Sequence, residues 1–159
     1  MSKIALDAID FRILDSLQEN AGRTNAELAA RVGLSPSPCL RRVRLMEAAG
    51  IIQKYVALID REAIGLGLTV FVEVRLELKK QRAAEDFENS VRQFVEVMEC
   101  HIVAGDYDYL LRVVLRDMAD FRRFVMTRLL KLSNVASTRS SFSVGEVKQT
   151  TRLPLPAKA

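Results

Sequence analysis

The spacing of apolar residues changes period on either side of Gly65 and Gly67. Ahead of these glycines apolar side chains recur every three or four residues. Behind them they begin by alternating. A period near 3.6 keeps one helix face apolar and a period of two does the same for a strand, so one regular element or repeat cannot run through both halves. The expected class is α+β, with helices first and a sheet after them. The expected division is residues 1–60 as a helical domain, 61–68 as linker and 69–159 as a sheet domain.

In the first half, Leu6, Ile9, Ile13, Leu14 and Leu17 predict a helix over residues 6–20, stopped near Gly22. Thr24 and Glu27 form a capping box for a second helix carrying Leu28, Ala29 and Val32 and ending at Gly33. Ser35 is placed to cap a third helix, with Pro36 at its first position and Pro38 tolerable in its first turn. That helix runs to about Ala49, closed by Gly50. Two short helices around a glycine turn, after a bracing helix, make a helix-turn-helix. Residues 51–59 lean toward extended chain, with Gln53 and Lys54 at the tip of a small hairpin or wing.

In the second half, Val70, Val72, Val74, Leu76 and Leu78 alternate with polar residues and predict a strand over 69–78. A helix over 82–94 follows, then strands 95–104 and 107–116 around Gly105-Asp106, a helix over 119–132 and a strand over 135–147. The order βαββαβ is ferredoxin-like. Both helices lie on one face, so the other face needs cover, and a second copy of the chain supplies it most simply.

Composition narrows the chemistry. The 159 residues are 49% hydrophobic and 28% charged, which is a globular balance. No apolar run approaches the ~20 residues of a membrane span. Asp7 and Asp10 follow Met1-Ser2-Lys3-Ile4, where an export signal would carry its apolar core. Cys39 and Cys100 are each alone and His101 is the one histidine, so no thiolate cluster or multi-histidine metal site is expected. No phosphate-binding glycine loop or nucleophile elbow is present, and neither a cofactor nor an enzyme activity is expected. The net charge of +4 is unevenly spread. Residues 31–54 hold five basic side chains against Glu47, residues 61–120 hold eight against twelve acidic ones, and residues 121–159 hold eight against Glu146.

On a helical wheel, Leu40, Val43 and Glu47 cluster on one side of the third helix, with Met46 at the edge. Ser37, Arg41 and Arg44 cluster opposite, flanked by Arg42. Such a helix fits the major groove of B-DNA. Arg41 and Arg44 then reach guanine edges or phosphates, Ser37 contacts base or backbone, and Arg42 and Lys54 neutralise phosphates. Free amides at the Ser35 end offer a further phosphate contact. A merely solvated basic face fits the same pattern. In Gly105-Asp106-Tyr107-Asp108-Tyr109, two carboxylates near a strand end suit an ammonium group, and the turn's amides suit a carboxylate; together they describe a free amino acid. An ordinary Asp-containing turn fits as well, and a ferredoxin-like enzyme using Asp106 and Asp108 as acids is the remaining alternative.

Leu6-Asp7, Asp10, Ile13-Leu14, Glu27-Leu28-Ala29, Val32-Gly33-Leu34-Ser35-Pro36-Ser37-Pro38-Cys39-Leu40 and Gly50-Ile51-Ile52 together resemble the winged-helix half of the Lrp/AsnC (feast/famine) transcriptional regulators. Glu99-Cys100-His101, Gly105-Asp106-Tyr107-Asp108-Tyr109-Leu110-Leu111 and Glu146-Val147-Lys148-Gln149 resemble the effector-sensing half. The resemblance implies a winged helix-turn-helix joined to a ferredoxin-like ligand domain, and dimers that assemble to octamers. It implies binding to double-stranded promoter DNA, for activation or repression or in a more architectural role. It also implies a small amino-acid effector such as leucine or methionine, and a cytoplasmic, nucleoid-associated location. Carried onto this chain, Gly105, Asp106 and Asp108 match the effector turn. Ile102 and Met118 match aliphatic walls. Ser141, Phe142 and Ser143 stand across the interface, where relatives of the leucine-responsive branch have a tyrosine and two valines. Two further departures are Leu45, where relatives carry arginine, and Arg41, where that branch has glutamate.

Overall fold

The computed structural model describes residues 5–77 and 82–156 and divides into two compact units, the residues up to Leu58 together with those from Lys148 on, and residues 59–147.

The first unit is built on α1 (Ala8–Glu19), α2 (Asn25–Val32) and α3 (Pro36–Ala48). Asp7 caps α1 by accepting from the Ile9 and Asp10 amides, and Asp10 returns the favour by accepting from the Asp7 amide at 3.0 Å. The Thr24–Glu27 box on α2 forms as expected, with the Thr24 amide donating to Glu27 Oε2 at 2.7 Å. Gly33 ends α2 at φ +73°, a left-handed conformation that glycine adopts without cost. Ile13, Leu28, Ala29, Val32, Cys39, Val43 and Met46 form the core. Full burial of a side chain such as Ile13 contributes about 2–3 kcal/mol.

The hairpin expected at Gln53-Lys54 does not form: among the described residues no ladder bond joins residues 51–59. Gln53 and Lys54 lack the Asn-Gly chemistry of a tight hairpin turn. Ile52 instead packs on the helical core, and the Tyr55 hydroxyl donates to Glu47 Oε1 at 2.9 Å.

The second unit follows the expected βαββαβ order: β1 (Leu68–Leu76), α4 (Ala83–Val91), β2 (Val97–Ile102), β3 (Tyr109–Leu115), α5 (Met118–Thr127) and β4 (Val135–Phe142). Leu78 of the expected first strand lies outside the described residues. The sheet is antiparallel in the order β2-β3-β1-β4. Val70, Val72 and Val74 face Val113, Leu111 and Tyr109 across the ladder and are fully buried with Phe87 and Leu129. Phe71, Glu73 and Arg75 point to the opposite face, where Glu73 pairs with Arg139 and Glu99 with Arg112.

Two elements end about five residues earlier than expected. The helix predicted to Leu132 stops at Thr127, and Leu129–Lys131 form a 3-10 turn. Phe124 and Leu129 are both buried, yet five helical residues would set them about 140° apart, so the helix must break to bury both. β4 stops at Phe142 rather than near residue 147, because β1 has no further partner after Ser143 donates to the Thr69 carbonyl at 3.0 Å. The chain from Lys148 groups with the helical unit by its contacts.

Candidate nucleic-acid interface and ligand turn

The buried stripe of α3 is Cys39, Val43 and Met46, at spacings of four and three. It is rotated from the expected Leu40–Val43–Glu47 stripe: Leu40 is 37% exposed and Glu47 is exposed. The two wheels differ by one position, and Cys39 is fully buried in the helical core. Burial raises the Cys39 thiol pKa, as suits a packing residue.

Ser37, Leu40, Arg41 and Arg44 therefore share the exposed face of α3. Arg41, Arg44 and Lys54 make no salt bridge to any described residue. Leu40 was not among the sequence-predicted contacts. Its signal was available in the choice between Cys39 and Leu40 as the buried neighbour.

Arg42 is otherwise engaged. Its Nη1 donates to Asp7 Oδ2 and Asp10 Oδ1, both at 2.8 Å, and so ties α3 to the capped end of α1. Expected as a phosphate contact, it is held by two carboxylates instead. Arg31 is likewise paired with Glu19. The charge of residues 31–54 thus divides into a structural share, Arg31 and Arg42, and an available share, Arg41, Arg44 and Lys54.

Ser35 occupies the N-cap position with extended φ and ψ, but its side chain makes no capping bond. Pro38 is the third helical residue and has no amide to donate, which removes one of the two usual capping partners. Pro36 removes a further first-turn amide. Of the first-turn amides only that of Ser37 is available, so the anion site expected at this end is reduced to one N–H, the exposed Ser35 and Ser37 hydroxyls and the helix dipole.

The second candidate site is the β2–β3 turn. The Val103 amide donates to the Asp108 carbonyl at 3.0 Å and the Asp108 amide to the Val74 carbonyl at 2.9 Å. Asp108 Oδ2 accepts from the Leu76 amide at 2.7 Å, where the β1–β4 register shifts. The amide, the carbonyl and Oδ2 of Asp108 thus stitch β1, β2 and β3 together, and of the expected pair of ligand carboxylates Asp106 is the exposed one and Asp108 the half-buried one. Gly105, at φ +146°, gives the turn a shape that a residue with a Cβ resists. Ile102 is 76% exposed and lines, with Val91, Met98 and Cys100, a groove of ≈ 280 Å³ between α4 and β2. The Cys100 thiol there is pushed up by burial and by the nearby Glu88.

The other expected effector residues lie elsewhere. Met118 opens α5, beyond the far end of β3. Phe142 packs edge-on against Phe121, with ring centroids 5.1 Å apart, and Ser141 and Ser143 flank it. β3 separates the two sets by its full length, about 20 Å for seven residues. Within one chain, Ile102, Gly105 and Asp106 are together, Met118, Ser141, Phe142 and Ser143 are together, and the two sets do not meet. Met118, expected as an aliphatic wall of the pocket, lies at the same end of the sheet as Ser141, Phe142 and Ser143. Among the described residues no three metal-ligating side chains are grouped.

Comparison with known proteins bears on both sites. Residues 6–53 match a winged helix-turn-helix DNA-binding model, and residues 69–153 match the Lrp/AsnC ligand binding domain. The chain is 44% identical to the leucine-responsive regulatory protein of Haemophilus influenzae over 95% of its own length and 91% of that protein. For the protein of that name from Escherichia coli K12 the values are 42%, 96% and 93%. Among solved structures, a transcriptional regulator of Neisseria meningitidis in complex with L-methionine superposes with a TM-score of 0.91 at 47% identity, covering 94% of this chain and 97% of that one. A feast or famine regulatory protein of M. tuberculosis, also complexed with L-methionine, gives 0.83 at 32% identity, with 96% and 100% covered.

Proposed function

The chain belongs to the Lrp/AsnC family of transcriptional regulators, and from that premise we propose that it reads promoter DNA with the exposed face of α3 under the control of a small amino acid. It is a DNA-binding regulator and not an enzyme. The observation that carries the proposal is the division of labour on α3. Cys39, Val43 and Met46 are buried and Arg42 is clamped, while Ser37, Arg41 and Arg44 are exposed and unpaired with any described residue. Arg41 and Arg44 present guanidinium forks to guanine edges or phosphates, Leu40 presents an apolar surface to thymine methyl groups, and Ser35 and Lys54 contact the backbone.

The effector is an amino acid, with leucine or methionine as the proposed identity; the methionine held by the Neisseria and mycobacterial regulators supports the latter. Asp106 receives its ammonium, the amides around Gly105 its carboxylate and Ile102 part of its side chain. Met118, Ser141, Phe142 and Ser143 come from a second copy, because one chain keeps them about 20 Å away. The binding site then exists only in the assembly, which we propose is a dimer that builds an octamer on DNA in the nucleoid. Ser141, Phe142 and Ser143 in place of a tyrosine and two valines shift preference toward a more polar or more polarisable side chain than leucine.

Fluorescence anisotropy with promoter DNA at several salt concentrations tests the DNA half. Binding that is sequence-selective and falls with log salt is expected; binding that ignores sequence and survives Arg44→Ala removes α3 as the reader. Calorimetry with single amino acids tests the effector half.

A further inference from the structure

The C-terminal segment beyond the sheet, with Lys148 and Arg152 against Glu146, is explained by neither the DNA-facing helix nor the sheet. It returns to α1. The Leu153 amide donates to Gln18 Oε1 at 2.7 Å, and the Leu153 carbonyl accepts from Gln18 Nε2 at 3.3 Å. A side-chain amide that offers both groups to one backbone residue imitates a neighbouring strand. Asp15, three residues earlier on the same helix face, takes the Arg152 guanidinium at 2.7 Å. Leu155 is half-buried, whereas Val144 and Val147 are fully exposed. The tail is therefore docked from Arg152 to Leu155 and unsupported just after the sheet.

That unsupported stretch begins where the proposed effector wall ends. Ser143 is the last residue bonded to the sheet, and Ser141, Phe142 and Ser143 form the wall. At the other end, α1 is the helix whose Asp7 and Asp10 hold Arg42 of α3. Covalent chain and paired side chains thus run without a gap from the wall, through the tail and α1, to the helix that faces DNA. We propose that residues 144–155 are a strap that transmits the state of the effector wall to the DNA-reading unit. This rests on the reading of residues 141–143 as effector wall.

The test uses the full chain as wild type, as Arg152→Glu, and as Arg152→Glu combined with Asp15→Arg. DNA affinity is measured by anisotropy with and without L-methionine, and methionine binding by calorimetry. Arg152 is half-exposed, and losing such a pair changes a folding equilibrium by about fivefold at most, so both variants fold. The expected result is that Arg152→Glu keeps its methionine heat and its methionine-free DNA affinity while the methionine-induced change in that affinity shrinks toward unity. The charge-swapped pair restores the change. A response in Arg152→Glu as large as in wild type overturns the strap and leaves the effector reading intact, as does a swap that restores nothing. A wild type that binds DNA but gives no heat with methionine or any other amino acid overturns both.

Discussion

Arg42 and Arg44 stand two positions apart on one helix and do different work. Arg42 is spent on Asp7 and Asp10, while Arg44 faces outward. Arg44→Ala is expected to weaken promoter binding by about 1–3 kcal/mol and to flatten the salt dependence. Arg42→Ala should instead lower the melting temperature of the helical unit, which circular dichroism on the two variants separates. Their neighbours show what was legible at this scale. The Thr24–Glu27 box could be read from four letters, because both partners lie within one turn. The weakness of the Ser35 cap was also legible in part, since Pro38 removes one of its two usual amide partners. The clamp on Arg42 was not, because its partners lie 32 and 35 residues away. Gly105 is legible as a turn residue, and its φ of +146° makes a direct prediction. Space around its Cβ position is open, so Gly105→Ala fails by backbone conformation and not by clash, at a cost of about 1–3 kcal/mol in the ligand unit. Its thermal unfolding, with methionine heat as the second readout, checks this.

Elements fared according to how local their causes are. The βαββαβ order follows from periodicity, and the ladder places every expected strand. Where elements end depends on partners that periodicity does not contain: β4 stops with β1, and α5 breaks so that Phe124 and Leu129 both reach the core. The ends of the first two helices carry a pH prediction. Asp7 is held below the ordinary carboxylate pKa, first by the Asp10 amide and then by Arg42, and Glu27 is lowered by the amide and hydroxyl of Thr24. A depressed folded-state pKa contributes stability above the unfolded value that is lost as pH falls through the folded one. The helical unit should therefore melt at lower temperature as pH drops below about 4, and Asp7→Asn should reduce that dependence. A melting temperature flat from neutral pH to about 3 contradicts it. Tyr109 gives the alkaline counterpart. Burial, and then its bond to Glu88, push its hydroxyl up to about 12, so its ultraviolet titration should lie well above that of free tyrosine.

The whole molecule is two small cores, with a tail that belongs to the first of them. Two cores were legible from the change of period at Gly65 and Gly67. The return of the tail was not, because the Gln18–Leu153 bonds join residues 135 apart and use groups found in any loop. The proposed ligand residues could be named from the sequence but not gathered into one place. They sit at opposite ends of the sheet, and the proposed assembly is what would bring them together. The account therefore stands on one coupling, between an amino acid at the Gly105 turn and DNA at the α3 face. The direct measurement is promoter-DNA affinity by anisotropy at fixed salt, with and without saturating L-methionine, for wild type and for Gly105→Ala. The account predicts a shift in wild-type affinity that Gly105→Ala abolishes while DNA binding itself remains. A wild-type affinity that methionine, leucine and the other amino acids all leave unmoved contradicts it.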